Sequence, residues 1–130
     1  MTDLGLLIAR VMLSLVFLLS GIDKLLHWPA GLAEIEAMGL PFAPWMLAAT
    51  VITQIAGGLS VALGAFARLG ALALAGFTVA ATLLAHGFWN ATGAEWQHQF
   101  TTTMEHVAIV GGFLAIIVTG AGAFSFDRRS

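Results

Sequence analysis

Apolar residues crowd into four runs, near residues 4–26, 45–66, 69–89 and 103–122, and leave most polar residues to the joints between them. Each run approaches the ~20 residues needed to cross a hydrocarbon core ~30 Å thick. A soluble four-helix bundle would carry a polar stripe along every helix. Here Val11 to Ile22 and Leu69 to Ala85 hold no charged residue at all. The pattern predicts an all-α, polytopic membrane protein: one domain over residues 1–130, built as a bundle of four transmembrane helices. Between the first two runs, Trp28-Pro29 breaks the helix. Ala30 to Met38 then predicts a short outer interfacial helix, with Leu32, Ile35 and Met38 spaced to lie on the membrane surface. Gly39 suits its C-terminal cap, and Leu40-Pro41 ends it.

Small residues within the runs mark expected helix contacts, because they let backbones approach closely in lipid. Ala49, Thr53 and Gly57 recur every four residues on the second span. Gly76 and Ala80 do so on the third, and Gly111 and Ala115 on the fourth. Ile55-Ala56-Gly57-Gly58 and Ile109-Val110-Gly111-Gly112 resemble each other, a hint of two related helical hairpins.

Composition strengthens the membrane reading. Hydrophobic residues are 59% and charged residues 9%, where a soluble domain carries about 25% charged. With no cysteine, the chain by itself offers no disulfide, iron–sulfur or thiol chemistry. The net charge is −2 and the basic residues form no patch beyond Arg128-Arg129, which gives nucleic-acid binding no support. Met1-Thr2-Asp3 lacks a basic n-region and Arg10 interrupts the first run, so residues 4–26 read as a retained span.

Four spans put both termini on one side. That side also holds Arg68, Arg128 and Arg129, with Arg10 nearest to it, whereas the other holds Lys24 among Glu34, Glu36 and Glu95. The excess of Lys and Arg predicts cytoplasmic termini. Trp28, Trp45, Trp89 and Trp96 all fall at the outer boundary, as an aromatic belt would.

Polar groups inside the spans are expensive, so they are the first candidates for function. At 1.5 Å per residue, His86 on span three and His106 on span four lie at similar depths, each ~10 Å outward of the middle. Glu105 is one step further out; Lys24, Asp23 and His27 sit at the outer end of span one, and Gln54 lies at mid-depth of span two. Glu105 and His106 point about 100° apart, so at most one faces the bundle axis. A Glu at this depth should pair with Lys24 or a histidine, or take up a proton. Arg10 lies toward the inner end, and Asp127, just past span four, is its expected ion-pair partner.

The set supports three readings. It could be a polar network that fixes helix register, with Lys24 and Glu105 reaching the interface. It could hold the head group of a quinone, with Lys24 and the histidines bonded to the ring oxygens and Trp89 packed on the ring. Or His86 and His106, with His27, His98 or Glu105, could ligate haem or another metal. No His-x-x-x-His or His-Glu-x-x-His motif backs the last reading, and no metal ligand set is assigned.

Short motifs run through the whole chain in order: Arg10 and Ser20-Gly21-Ile22-Asp23-Lys24-Leu25; Met38-Gly39-Leu40-Pro41; Gly57-Gly58-Leu59 and Gly64-Ala65-Phe66-Ala67-Arg68; His86-Gly87-Phe88-Trp89; Gly111-Gly112-Phe113; and Ala121 to Asp127. Together they resemble the DoxX family of small, four-helix inner-membrane proteins. The resemblance implies a subunit or accessory factor of a quinone-linked redox system, as in the DoxD-type subunits of thiosulfate:quinone oxidoreductases. Other members resemble parts of oxidative-stress complexes or of maturation systems for redox enzymes. It places Arg10, Lys24, Arg68, His86 and Asp127 on the family's recurring polar positions. Two positions depart from the pattern: Gln54 stands where the family often has Glu, and Glu105-His106 stands where a Lys-Asn pair is usual.

The expectation is therefore a bacterial-type inner-membrane protein with a head-group site in the outer half of the bundle. Its residues would be Lys24, His86, Trp89, Gln54, Glu105 and His106, with quinone as the candidate cofactor. Arg10, Arg68 and Asp127 would be structural. Besides the lipid bilayer, the expected partners are a redox protein or further copies of the chain. The alternative from another class is a non-catalytic scaffold that docks a partner through Trp28 and residues 30–38. A small-solute transporter is a third.

Overall fold

A computed structural model describes residues 2–85 and 92–127. Its five helices are α1 (Thr2–Leu26), α2 (Trp28–Ala37), α3 (Ala43–Leu63), α4 (Ala67–Ala85) and α5 (Gly93–Thr119). Among the described residues there is no strand. All but α2 are long and apolar enough to cross a membrane. Their outer faces carry large apolar side chains such as Met12, Leu19, Ile52, Leu72 and Val118. Exposed apolar area on this scale requires lipid around it. The chain is a multi-pass membrane protein.

Helix α3 packs between α1 and α4, and α5 closes the bundle chiefly against α4. Two adjacent glycines explain α3's central place. A Cβ on Gly57 would come within 2.9 Å of Leu74 on α4, and one on Gly58 within 2.9 Å of Leu18 on α1. Each glycine thus admits a leucine from a different neighbour. Gly112 on α5 receives Leu13 of α1 in the same manner. The second glycine of each expected repeat is therefore seated on α1.

Not every four-residue ladder marks a contact. Gly76 and Gly111 face open space, and Ala80 and Ala115 are exposed. The close approaches use Gly57 of the expected ladders, together with Gly21, Gly58, Gly70 and Gly112. A spacing of four places residues on one face but does not say which face meets protein.

Three other expectations shift. Helix α5 begins ten residues before the fourth apolar run, because the polar stretch 93–102 continues the helix beyond its hydrophobic part. Pro29 falls within the first turn of α2, where its missing N–H costs nothing, so that helix starts at Trp28. On α2, Ile35 meets protein and not the membrane surface. Ile35 is buried against Ala43, Leu47 and Val51, with Leu32 and Trp28 packed beside it, so α2 folds over the end of the bundle. Gly39 does take the left-handed conformation expected after a helix, at φ 73°.

This small cluster under α2 is one of two cores. The larger lies toward the termini, around Phe17, Val61, Leu74, Phe113 and Ile116. Phe17 packs edge-on to Phe77 at 6.5 Å between ring centres and tilts against Phe113 at 5.5 Å.

Candidate functional site

A cavity of about 500 Å³ separates the two cores. Ligand pockets commonly occupy ~300–1,000 Å³. Phe17, Phe77 and Ile109 line it on the side of the larger core, and Ile35 and Leu47 on the side of α2. The polar residues of the wall come from all five helices: Ser20 and Lys24 (α1), Glu34 (α2), Thr50, Thr53 and Gln54 (α3), Thr78 (α4) and His106 (α5). Three of the six residues expected for a ligand site, Lys24, Gln54 and His106, thus share one cavity.

Gln54 sits at the middle of α3 and is only 5% exposed. Its Oε1 is buried with no hydrogen-bond partner among the described residues. Gly21 allows α1 to press against the Gln54 stem; a Cβ there would lie 3.3 Å from Gln54 Cβ and 2.7 Å from Ile55. A buried, unpaired carbonyl is costly, and native structures keep few of them.

His106 is half-buried and its Nδ1 lies 2.6 Å from Thr82 Oγ1. Thr82 donates its hydroxyl proton to the Thr78 carbonyl at 2.7 Å, and a carbonyl can only accept. While Thr82 donates there it accepts from His106, an arrangement that suits the Nδ1–H tautomer. Thr78 in turn donates to Leu74 O at 2.7 Å. The α4 threonines thus orient the imidazole through their own helix. Sequence reading missed them, although Thr78, Thr82 and His86 recur every four residues. It also missed Glu34, which α2 brings to the cavity by folding inward.

Lys24 is partly exposed at the wall and makes no ion pair among the described residues. Its neighbours Asp23 and His27 pair with each other, at 3.2 Å between Oδ1 and Nδ1 when the ring is protonated. Glu105 is exposed, stands outside the cavity wall and pairs with neither Lys24 nor a histidine among the described residues. Two successive helix positions cannot both face the axis, and His106 takes the inward one. His86 and Trp89 lie outside the described residues.

The opposite end of the bundle is closed. Arg10 is fully buried; its Nη1 donates to Val61 O and Ala62 O, both at 3.2 Å, and its Nη2 to Phe124 O at 2.5 Å. The first two are carbonyls of the last turn of α3, which the helix leaves unpaired. Asp127 lies within electrostatic reach of Arg10, but among the described residues no contact within ion-pair distance links the two. Asp127 instead accepts from the Phe66 and Ala67 amides at 2.8 and 2.6 Å, capping the start of α4. Each charge has found a helix end of opposite partial charge. Asp3 accepts from Ala123 N at 3.1 Å, and Asp127 N donates to Gly64 O at 2.7 Å, so the C-terminal segment is tied to α1 and to the α3–α4 turn. Arg68 is exposed, with its guanidinium over Gly120. These contacts put both termini at one end of the bundle.

The family model of DoxX matches residues 5–87. Two inner membrane proteins of Escherichia coli (strain K12) are similar over nearly the whole chain. YqjF is 34% identical over 126 residues, covering 97% of this chain and 92% of its own. YphA is 28% identical over 124 residues, covering 95% and 89%. No solved structure matches at a significant level.

Proposed function

This chain belongs to the DoxX family, and from that premise we propose that it is an inner-membrane subunit or accessory factor of a quinone-linked redox system, with the quinone head group held in the cavity between the two cores. The observation that carries the reading is the convergence of Lys24, Gln54 and His106, from three helices, on one largely apolar cavity. An apolar wall with a few convergent polar groups suits a planar ring bearing two oxygens. Lys24 donates to one ring oxygen, Phe17 and Phe77 flank the ring, and His106 takes or returns a proton, for which an imidazole is suited near neutral pH. The parts given to His86 and Trp89 rest on the family resemblance alone. The surplus of Lys and Arg at the terminal end favours cytoplasmic termini, which turns the cavity toward the outer leaflet.

The test is to purify the protein in mild detergent and quantify bound quinones by mass spectrometry. The reading expects quinone near one per chain, lost in Lys24→Ala and in His106→Ala. A quinone-free protein that retains a fixed protein partner would replace it with the scaffold reading.

A further inference from the structure

We propose that this cavity takes the reduced, hydroxyl-bearing form of its ligand, a quinol, in preference to the quinone, with one ring hydroxyl donating to Gln54 Oε1. The inference rests on the head-group reading above and goes beyond it by naming which redox form the site selects. Its observation is the orphaned amide oxygen: Gln54 lines the cavity, is 5% exposed, and its Oε1 has no partner among the described residues. An amide oxygen can only accept. A quinone carries two carbonyls and no donor, so it can accept from Gln54 Nε2 but leaves Oε1 unpaired. A quinol presents an O–H, which supplies the missing bond.

The neighbouring hydroxyls do not reverse this preference. Thr78 and Thr50 spend their protons on the carbonyls of Leu74 and Met46, at 2.7 and 2.9 Å. Toward a ligand both therefore act as acceptors, which again favours a donor. Ser20 and Thr53 have hydroxyls that donate or accept as needed and so discriminate little. Lys24 donates to a ring oxygen in either form, since a phenolic oxygen keeps lone pairs when its proton points elsewhere. The selection thus falls at mid-depth, on the buried Gln54.

The probes are a decyl-substituted benzoquinone, its quinol under anaerobic reduction, and the quinol's dimethyl ether, titrated into the full-length protein in nanodiscs. The quinol should bind at least tenfold more tightly than the quinone, which corresponds to raising the potential of the bound two-electron couple by about 30 mV. The dimethyl ether keeps the ring and loses both donors, so it should bind no better than the quinone. In Gln54→Met the quinol preference should fall to within about twofold, with an unfolding transition in sodium dodecyl sulfate no weaker than that of the unaltered protein as the sign of an intact fold. Should that variant fail to fold, the ether comparison in the unaltered protein still decides. Equal or tighter binding of the quinone, or an ether as tight as the quinol, overturns the selection while leaving the head-group reading standing. Binding of none of the three overturns both.

Discussion

The two ends of this bundle handle buried polarity in opposite ways. At the terminal end Arg10 is wholly enclosed, yet both of its Nη groups meet carbonyls that a helix end or the C-terminal segment leaves over, and only its Nε lacks a partner among the described residues. Asp127 likewise meets two amides at the start of α4. In the cavity half, Gln54 is almost as deeply buried and its oxygen meets nothing among the described residues. Lys24 stands at the same cavity with no counter-charge within ion-pair distance among them. The comparison teaches that burial alone does not separate structural from functional polar groups. What separates them is how much of the pairing the protein itself supplies: three bonds for the Arg10 guanidinium, none for the Gln54 oxygen among the described residues.

The sharpest way to break this contrast is at Arg10. Arg10→Met should destabilise the protein by about 3 kcal/mol or more, since removing one side of a buried charged network leaves its partners unpaired. Reversible unfolding in sodium dodecyl sulfate would measure it. A loss below 1 kcal/mol would mean that the terminal end is not the clamp described.

Gly64→Ala comes next. Gly64 has φ 72° and an added Cβ would lie 2.2 Å from Ser125 Cβ and 2.6 Å from Arg10 Nη1. Strain in the left-handed region and overpacking together should cost about 2–4 kcal/mol. Asp127→Ala should cost less, about 1 kcal/mol, as the loss of a helix N-cap does. The same unfolding series orders all three, and an Asp127 effect as large as that of Arg10 would point to a direct ion pair after all.

The cavity half should behave in the reverse sense. Lys24→Ala should leave stability within about 0.5 kcal/mol, as surface changes usually do, while removing bound quinone. Gln54→Met, which deletes an unpaired buried carbonyl, should be neutral or stabilising by about 1 kcal/mol. Strong destabilisation by either would move that residue to the structural group and erase the contrast.

Much of the fold was legible because its causes are local. Four apolar runs of spanning length, Pro29 and Gly39 announce where helices start and stop; the left-handed Gly64 that ends α3 lay inside the second run and was not read as a stop. The terminal pairings were not legible. Arg10 and Asp127 looked like natural partners by sign and depth, but helix-end carbonyls and amides compete for both, and only the path of residues 120–127 decides the outcome. Lys24, Gln54 and His106 were foreseeable from their depth and from the cost of polarity in lipid. Thr78 and Thr82 were passed over because threonines usually satisfy themselves on their own helix, as these do; their service to His106 needs α5 in place. Glu34 joins the cavity only because α2 folds inward, which no periodicity in a ten-residue helix could reveal.

The most direct test of the central claim is photolabelling of the unaltered protein in nanodiscs with an azido-quinone, followed by peptide mapping. The account expects labels concentrated on residues 46–54 and 77–84, which border the cavity on α3 and α4, and competed away by excess quinol. Labels on residues 60–70 or 120–127, or spread along the lipid-facing surface without competition, would contradict it.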